Sequence, residues 1–98
     1  MSNNDNTLKT LGICARAKKL IYGEELVLES VRNGKCFLIF LASDTGAVAF
    51  KNVHDKANFY KVDVIDTYDT SELSMALGQE NRKVIGVKDE GFAKILKK

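Results

Sequence analysis

The stretch CFLIFLA, residues 36–42, is apolar throughout and decides the fold. Seven consecutive apolar residues are too few to span a bilayer, which takes roughly 20. An unbroken apolar run of this length is instead typical of a strand that is buried on both faces of a sheet. Because such a strand needs helices on each side, residues 36–42 predict the central strand of an α/β protein.

The segments around this strand alternate between helical and extended patterns. Extended segments are predicted at KLIYG (19–23), KVDVID (61–66) and KVIGV (83–87). Helices are predicted from Asn6 or Thr7 to about Ala17, over EELVLESVRNG (24–34), after Ser43 or Asp44, before Gly78, and after Asp89. We therefore predict that residues 1–6 are disordered and that residues 7–98 form a single domain. Its fold class is α/β, a three-layer α/β/α sandwich with a mostly parallel (mixed) four-stranded sheet.

Several helix ends carry explicit signals. Asp69 and Glu72 have capping-box spacing, and Asp89 stands where a cap of the last helix is expected. Ser43 or Asp44 is predicted to cap a helix whose buried face is Ala47, Phe50, Val53 and Ala57. The last helix is predicted to bury Phe92, Ile95 and Leu96.

Composition narrows the classes of function. The formal net charge is +2, which permits a nucleic-acid partner without requiring one. The polar start MSNNDNT lacks the apolar core of a signal peptide, so a cytoplasmic protein without a membrane partner is expected. The two cysteines are too few for a disulfide scaffold and lack metal-ligand spacing. No cofactor and no metal site are predicted.

Catalytic motifs are weak in this sequence. A Cys–His nucleophile would require His54 beside Cys14 or Cys36, but both cysteines lie in apolar segments. There is no P-loop and no dinucleotide glycine fingerprint. Asp44 follows the central strand, where α/β proteins often bind ligands, although a helix cap is the more ordinary role. The protein is predicted not to be an enzyme.

Basic residues cluster in two places. Arg16, Lys18 and Lys19 come shortly before Gly23, whereas Arg82 and Lys83 follow the fourth predicted helix. Such clusters are ordinarily solvated surface. In an α/β/α layout, however, loops at one edge of the sheet can bring distant segments together, so RAKKLIYGEE and LGQENRK could face the same partner.

Two long segments resemble one family: GICARAKKLIYGEELVLESVRNGKCFLIFLASD (12–44) and TSELSMALGQENRKVIGVKDEGFAKIL (70–96). They are similar to the ribosomal protein L7Ae/L30e family of RNA-binding proteins, and most of all to its small bacterial YlxQ-like members. The resemblance implies the same three-layer fold. It also implies recognition of kink-turn RNA, a sharply bent helix with tandem sheared G·A pairs, by a ribosome- or translation-associated protein.

The resemblance also implies a set of RNA-binding residues. The N-terminus of the second helix would face the RNA, with Gly23 allowing close approach and carboxylates accepting hydrogen bonds from base amino groups. Basic side chains would attract phosphates, and the segment from Gly78 to Lys83 would pack against a flipped-out nucleotide. The implied RNA-binding residues are Lys18, Lys19, Gly23, Glu24, Glu25, Gly78, Gln79, Asn81 and Arg82.

The sequence departs from many kink-turn binders at several positions. It has Glu25-Leu26 where they carry Asn-Glu, and Glu29 where they carry a lysine that reads guanine. Gln79-Glu80-Asn81 is more polar than the usual loop, and Ser74 replaces a frequent glycine. Acid in place of a guanine-reading lysine loses a contact worth ~1–3 kcal/mol. The alternative is therefore a protein-interaction or assembly module, with the same fold, that has lost strong RNA binding.

Overall fold

In the computed structural model, which describes residues 4–97 and side chains from Asn6 onward, five helices alternate with four strands. The elements are α1 (Asn4–Arg16), β1 (Leu20–Tyr22), α2 (Glu24–Arg32), β2 (Leu38–Leu41), α3 (Ala47–Phe59), β3 (Asp63–Ile65), α4 (Thr70–Leu77), β4 (Val84–Val87) and α5 (Glu90–Leu96). The first helix begins two or three residues before the predicted Asn6 or Thr7. The predicted disorder of residues 1–6 stays a prediction for residues 1–3, which lie outside the described residues.

The sheet has the strand order β1-β4-β2-β3. Strands β2 and β3 are parallel, whereas β4 lies between β1 and β2 and is antiparallel to both. The three-layer α/β/α architecture with a mixed four-stranded sheet is thus confirmed. The prediction that the sheet is mostly parallel is wrong in this detail, because the last strand inserts antiparallel beside the central one.

Strand β2 is buried along its whole length, as its apolar sequence predicted. Successive side chains point to opposite faces of a sheet, so β2 supplies two cores. Leu38 and Phe40 pack with α1, α4 and α5 on one face, and Ile39 and Leu41 pack with α2 and α3 on the other. None of the helices within residues 4–97 has the length and apolar character needed to cross a membrane.

Three predicted helix ends are confirmed. The Asp69 carboxylate accepts a hydrogen bond from the Glu72 backbone N–H at 2.8 Å, and the Asp69 N–H donates to the Glu72 carboxylate at 3.0 Å. Gly78 ends α4 in the left-handed conformation, with φ 68°. The Asp89 carboxylate caps α5 by accepting from the Phe92 N–H at 2.9 Å.

Two predictions about helices are wrong. Helix α3 begins after Gly46 with no side-chain cap, because a longer turn separates it from Asp44. In α5 the buried residues are Ala93 and Leu96, while Ile95 is 56% exposed, so the buried face is rotated from the predicted one.

Candidate nucleic-acid interface

Gly23 lies at the edge of the sheet where β1 ends and β4 begins. Its N–H donates to the Val84 carbonyl at 2.9 Å, which fixes the start of α2 against the start of β4. Its backbone has φ 95° and ψ 144°, a conformation that is essentially restricted to glycine. A Cβ placed on Gly23 would meet nothing within 4 Å, so the surface above it is open.

The first turn of α2 presents unpaired backbone donors. The first helical hydrogen bond runs from the Val27 N–H to the Gly23 carbonyl at 3.0 Å, and Gly23 has no side chain to cap the turn. Among the described residues, the N–H groups of Glu24, Glu25 and Leu26 find no acceptor. An uncapped helix N-terminus with an open surface can donate hydrogen bonds to an approaching polar or anionic group.

The loop between α4 and β4 folds back toward this edge. The Arg82 N–H donates to the Ser74 hydroxyl at 2.9 Å, so Ser74 anchors the loop. The Arg82 guanidinium donates from Nε to the Gln79 side-chain oxygen at 2.6 Å and lies 4.5 Å from the centroid of the Tyr22 ring. Asn81 adopts a left-handed conformation with φ 59°. Arg82 is therefore a positioned cation and not a free side chain.

A cleft of about 240 Å³ joins these segments. Its lining residues come from the start of α2, the β2–α3 turn, α3 and the α4–β4 loop: Gly23, Glu24, Thr45, Ala49, Asn81, Arg82, Lys83 and Val84. The Thr45 hydroxyl is buried and has no hydrogen-bond partner in the described part of the chain. We call residues 23–25, 44–45 and 78–84 the Gly23 edge.

Asp44 connects the β2–α3 turn to α4. One carboxylate oxygen accepts from the Thr70 N–H at 2.9 Å and from the Thr70 hydroxyl at 2.6 Å. These hydrogen bonds lower the pKa of the Asp44 carboxyl, and the nearby Lys83 ammonium lowers it further. Lys83 itself donates to the Thr70 hydroxyl at 3.0 Å. Asp44 thus binds the first residue of α4, whose N-cap is Asp69, and does not cap the predicted α3.

The acids at this edge differ in whether their carboxylates are held by hydrogen bonds. One Glu24 carboxylate oxygen accepts from the Asn52 amide at 2.8 Å and ties α2 to α3, whereas Glu25 is exposed. Four acids lie at the Gly23 edge (Glu24, Glu25, Asp44 and Glu80) against two cations, Arg82 and Lys83, a formal excess of two negative charges. Arg32 and Lys56 line a neighbouring pocket together with Glu24 and Glu25, so the cations around this edge balance its acids. Hydrogen bonding from and to fixed groups therefore dominates the chemistry of the edge.

Lys18 and Lys19 do not reach the Gly23 edge. The Lys19 carbonyl accepts from the Lys88 N–H at 2.9 Å, and the Lys19 ammonium lies 3.9 Å from the Asp89 carboxylate, at the far end of β4. The intervening strand β1 separates Lys19 from Gly23 by about 13 Å, four residues at ~3.3 Å each. Of the residues that the sequence indicated, Gly23, Glu24, Asn81 and Arg82 line the cleft together, and Gln79 joins them through its hydrogen bond with Arg82. Glu25 lines a neighbouring pocket with Asn52 and Lys56, and Gly78 ends α4 ahead of the loop.

Sequence reasoning missed two contributors to this edge. Tyr22 lies against the Arg82 guanidinium, and Thr45 lines the cleft. Lys83 was indicated as part of a basic cluster, but its hydrogen bond to Thr70 was not. Neither Tyr22 nor Thr45 carries a local sequence signal, because their contacts depend on elements far away in the chain.

The residues weighed for catalysis are engaged elsewhere. His54 Nε2 lies 2.9 Å from the Asp66 carboxylate, and its ring packs against Phe50 at a tilt of 42°, with centroids 4.8 Å apart. Burial raises the pKa of the Cys14 thiol to about 11, with the Asp89 carboxylate adding to the shift, and burial also raises the pKa of Cys36. Such thiols are poor nucleophiles. Within residues 4–97 no group of three or more side chains could hold a metal ion.

Comparison with known proteins gives a family and several relatives. The sequence model of the ribosomal protein L7Ae/L30e/S12e/Gadd45 family matches residues 5–97. Two relatives are called RNA-binding protein YlxQ. The one from Enterococcus faecium is 37% identical over 92 residues, covering 94% of this chain and 88% of the relative. The one from Bacillus subtilis (strain 168) is 39% identical over 83 residues, covering 85% and 83%.

Two solved structures share the fold. A protein of unknown function from Bacillus halodurans C superposes with a TM-score of 0.90 at 41% identity, covering 93% of this chain and 92% of that one. The 15.5kD RNA binding protein of Giardia lamblia superposes with a TM-score of 0.79 at 17% identity, covering 99% and 88%. At that identity the second likeness concerns the fold alone.

Proposed function

Since the chain belongs to the ribosomal protein L7Ae/L30e/S12e/Gadd45 family, we propose that it is a non-enzymatic RNA-binding protein. Its ligand is a kink-turn or a similarly bent RNA that contains G·A pairs, and it binds through the Gly23 edge. We further propose that it acts in the cytoplasm in association with ribosomes or translation, on ribosomal or other structured RNA. The names of the two YlxQ relatives support the RNA ligand.

One observation carries the assignment to the Gly23 edge. The uncapped first turn of α2 and the stacked Arg82 line the same open cleft, although Arg82 follows Gly23 by 59 positions in the chain. A fixed cation beside free backbone donors can hold an RNA phosphate or the acceptor edge of a base. The buried Thr45 hydroxyl, unpartnered among residues 4–97, adds a polar group that a ligand in the cleft can satisfy.

The acids at the edge favour base contacts over backbone contacts. Glu25 is exposed, and Glu24 keeps one carboxylate oxygen beyond its bond to Asn52. Carboxylates accept hydrogen bonds from the exocyclic amino groups of bases and repel phosphates. Kink-turn RNA exposes base edges at its G·A pairs, whereas a regular duplex presents mainly phosphates and the 2′-hydroxyls of its minor groove. An acidic edge with one fixed arginine therefore suits a kinked RNA better than a regular duplex.

The experiment is a titration of the protein against a kink-turn RNA with tandem G·A pairs. A duplex of matched length without the internal loop serves as control, at about 50 and 200 mM salt. We expect submicromolar binding to the kinked RNA and a clear preference over the duplex at both salt concentrations. Arg82→Ala is expected to weaken binding by about tenfold or more, the loss of one good contact, while the exposed Lys51→Gln on α3 leaves it unchanged. Equal, weak and strongly salt-dependent binding to both RNAs contradicts the proposal.

A second candidate function is a protein-interaction or assembly module with this fold. The observation that favours it is the formal excess of acid at the Gly23 edge, to which exposed Glu29 adds one turn further along α2. The two functions are separated by Glu29→Lys. An RNA-binding edge gains affinity for the kinked RNA, because a lysine replaces a repelling acid near guanine acceptors. If the edge instead binds a basic protein surface, Glu29→Lys weakens binding of that protein and produces no binding of the kinked RNA.

A further inference from the structure

The end of the sheet opposite the Gly23 edge is strongly basic. Strands β1 and β2 start there and β4 ends there, since Leu20 and Leu38 both pair with Val87. Parallel strand β3 starts at the same end, where Asp63 pairs with Leu38. Eight cations occupy this end, Lys18, Lys19, Arg32, Lys35, Lys61, Lys88, Lys94 and Lys97, against three acids, Asp63, Asp89 and Glu90. We call these residues the basic end; its formal excess is five positive charges.

A groove of about 370 Å³ is built into the basic end. Arg32, Lys61, Lys94 and Lys97 line it together with Tyr60. Lys97 lies 3.3 Å from the Asp63 carboxylate, but in the described part of the chain Arg32, Lys61 and Lys94 form no ion pair. Exposed cations without partners around one groove remain available to an external polyanion.

Helix dipoles account for only part of this charge. Cations near the ends of α2 and α3 stabilise those helices, which is an ordinary structural role. Lys61, however, sits in the left-handed region with φ 61°, immediately after the C-cap Tyr60. At the corresponding points after α2 and α4 the chain has Gly34 and Gly78, the residue type that adopts this conformation freely, whereas after α1 it has Lys18, also left-handed with φ 60°. The two non-glycine residues at these positions are thus lysines of the basic end, although glycine would be less strained there.

An aromatic pair adjoins the cations. Tyr60 lines the groove and is 38% exposed, and Phe59 beside it is 75% exposed. Their rings meet edge to face with centroids 4.9 Å apart, which braces the tyrosine ring. Cations that follow a backbone, combined with an exposed aromatic on which a base stacks, are the features that bind single-stranded nucleic acid without sequence preference.

We propose that the basic end is a second RNA site, which binds a single-stranded segment. Phosphates lie on Arg32, Lys61 and Lys94, and one base stacks on Tyr60. This site is separate from the Gly23 edge and does not depend on kink-turn recognition, although it shares RNA as its ligand with the proposed function.

The test measures binding of a fluorescent oligouridine of about 12 nucleotides, a length within the usual range for single-strand sites. The main variant is Lys61→Asn with Lys94→Gln. Asparagine tolerates the left-handed conformation, so thermal unfolding of this variant is expected to match or exceed that of the wild type. The magnitude of its negative slope of log K against log salt is expected to decrease by about 1.4, or ~0.7 for each lost single-strand phosphate contact. Tyr60→Leu is expected to weaken binding by about fivefold or more.

The control is Lys51→Gln, which removes one exposed cation, paired with Asp55, from α3 away from the groove. Lys61→Asn alone is its single-charge counterpart within the groove. Loss of oligouridine binding in the Lys61/Lys94 variant but not in Lys51→Gln supports the second site. Arg82→Ala is expected to leave oligouridine binding intact, and the Lys61/Lys94 variant to keep the preference for kink-turn RNA over duplex. If all variants bind oligouridine with the same affinity and the same salt slope, the second site is wrong, whatever the result of the kink-turn titration. If the protein binds kink-turn RNA no better than duplex, the proposed function is wrong, but the second site is unaffected.

Discussion

The Arg82 guanidinium lies 4.5 Å from the centre of the Tyr22 ring, so the last residue of β1 holds the cation that the α4–β4 loop presents. Gln79 fixes the same guanidinium from the other side with a 2.6 Å hydrogen bond to Nε. A loop residue held by a strand and by its own loop loses little freedom on binding a ligand, which favours affinity. This relationship gives the Gly23 edge its preorganisation.

The stacking of Arg82 on Tyr22 leads to the first prediction. Tyr22→Leu removes the ring and is expected to weaken kink-turn RNA binding about two- to fivefold, the value of a partly exposed cation–π contact of ~0.5–1 kcal/mol. Tyr22→Phe keeps the ring and is expected to bind like the wild type. Arg82→Lys keeps the charge, but it lacks the planar guanidinium that stacks and bonds to Gln79, so it is expected to behave like Tyr22→Leu. RNA titration checks all three, and full affinity in Tyr22→Leu would show that the stacking is irrelevant to binding.

Gly23 provides the second prediction. Its φ of 95° is strained for any residue with a Cβ, although the space around it is open. Gly23→Ala is therefore expected to lower the free energy of unfolding by ~1–3 kcal/mol through backbone strain alone. Urea denaturation measures this change.

Gly46→Ala is the matched control for Gly23→Ala. Gly46 is also exposed and open and also precedes a helix, but its φ is −56°. The entropy gained by replacing glycine and the weaker N-cap of alanine largely offset each other, so a change within about 1 kcal/mol is expected. Equal destabilisation by the two substitutions would remove strain as the reason for Gly23.

Local sequence signals were sufficient for most of the fold. The apolar run around Phe40 gave the central strand, and Asp69, Gly78 and Asp89 marked helix ends correctly. These features depend on residues within a few positions of each other. Hydrophobic periodicity does not contain strand direction, so the antiparallel insertion of β4 was not predictable from it.

The candidate site was less predictable than the fold. Arg82 and Tyr22 meet only because β4 pairs with β1, and Asp44 reaches Thr70 across 26 residues. The same pairing carries Lys19 to the opposite end of the sheet, against the expectation that it would join Gly23. Charge clusters that are close in sequence thus separate wherever a strand runs between them.

The bond between Asp44 and Thr70 leads to a prediction about pH. The folded-state pKa of Asp44 lies below its ordinary value because Thr70 donates two hydrogen bonds to the carboxylate. A lowered folded pKa stabilises the protein above the unfolded pKa of about 3.9, and this contribution is lost as the pH falls through the folded pKa. Asp44→Asn is expected to lower Tm at pH 7, and the difference from the wild type is expected to shrink as the pH falls below about 4.

The control for Asp44→Asn is Asp55→Asn. Asp55 forms an exposed pair with Lys51 four residues earlier on α3, and exposed pairs of this kind contribute little. Thermal unfolding between pH 7 and pH 2 measures both variants. A difference between Asp44→Asn and wild type that stays constant over this range would mean that the ionised carboxylate is not the stabilising form.

The buried thiols give the last prediction. With a pKa of about 11, only about one Cys14 in a thousand is a thiolate at pH 8, and burial also blocks access of a reagent. Cys36 is buried as well, against β4 and α2. Both thiols of the folded protein are therefore expected to react slowly with a chromogenic disulfide, at a rate that follows transient unfolding. In denaturant, both are expected to react at once.

Gly23→Ala, which destabilises the fold without touching either cysteine, is expected to accelerate the slow reaction, whereas Gly46→Ala is not. Rapid reaction of one thiol in the folded protein at pH 8 would contradict the packing role and reopen the question of a reactive cysteine.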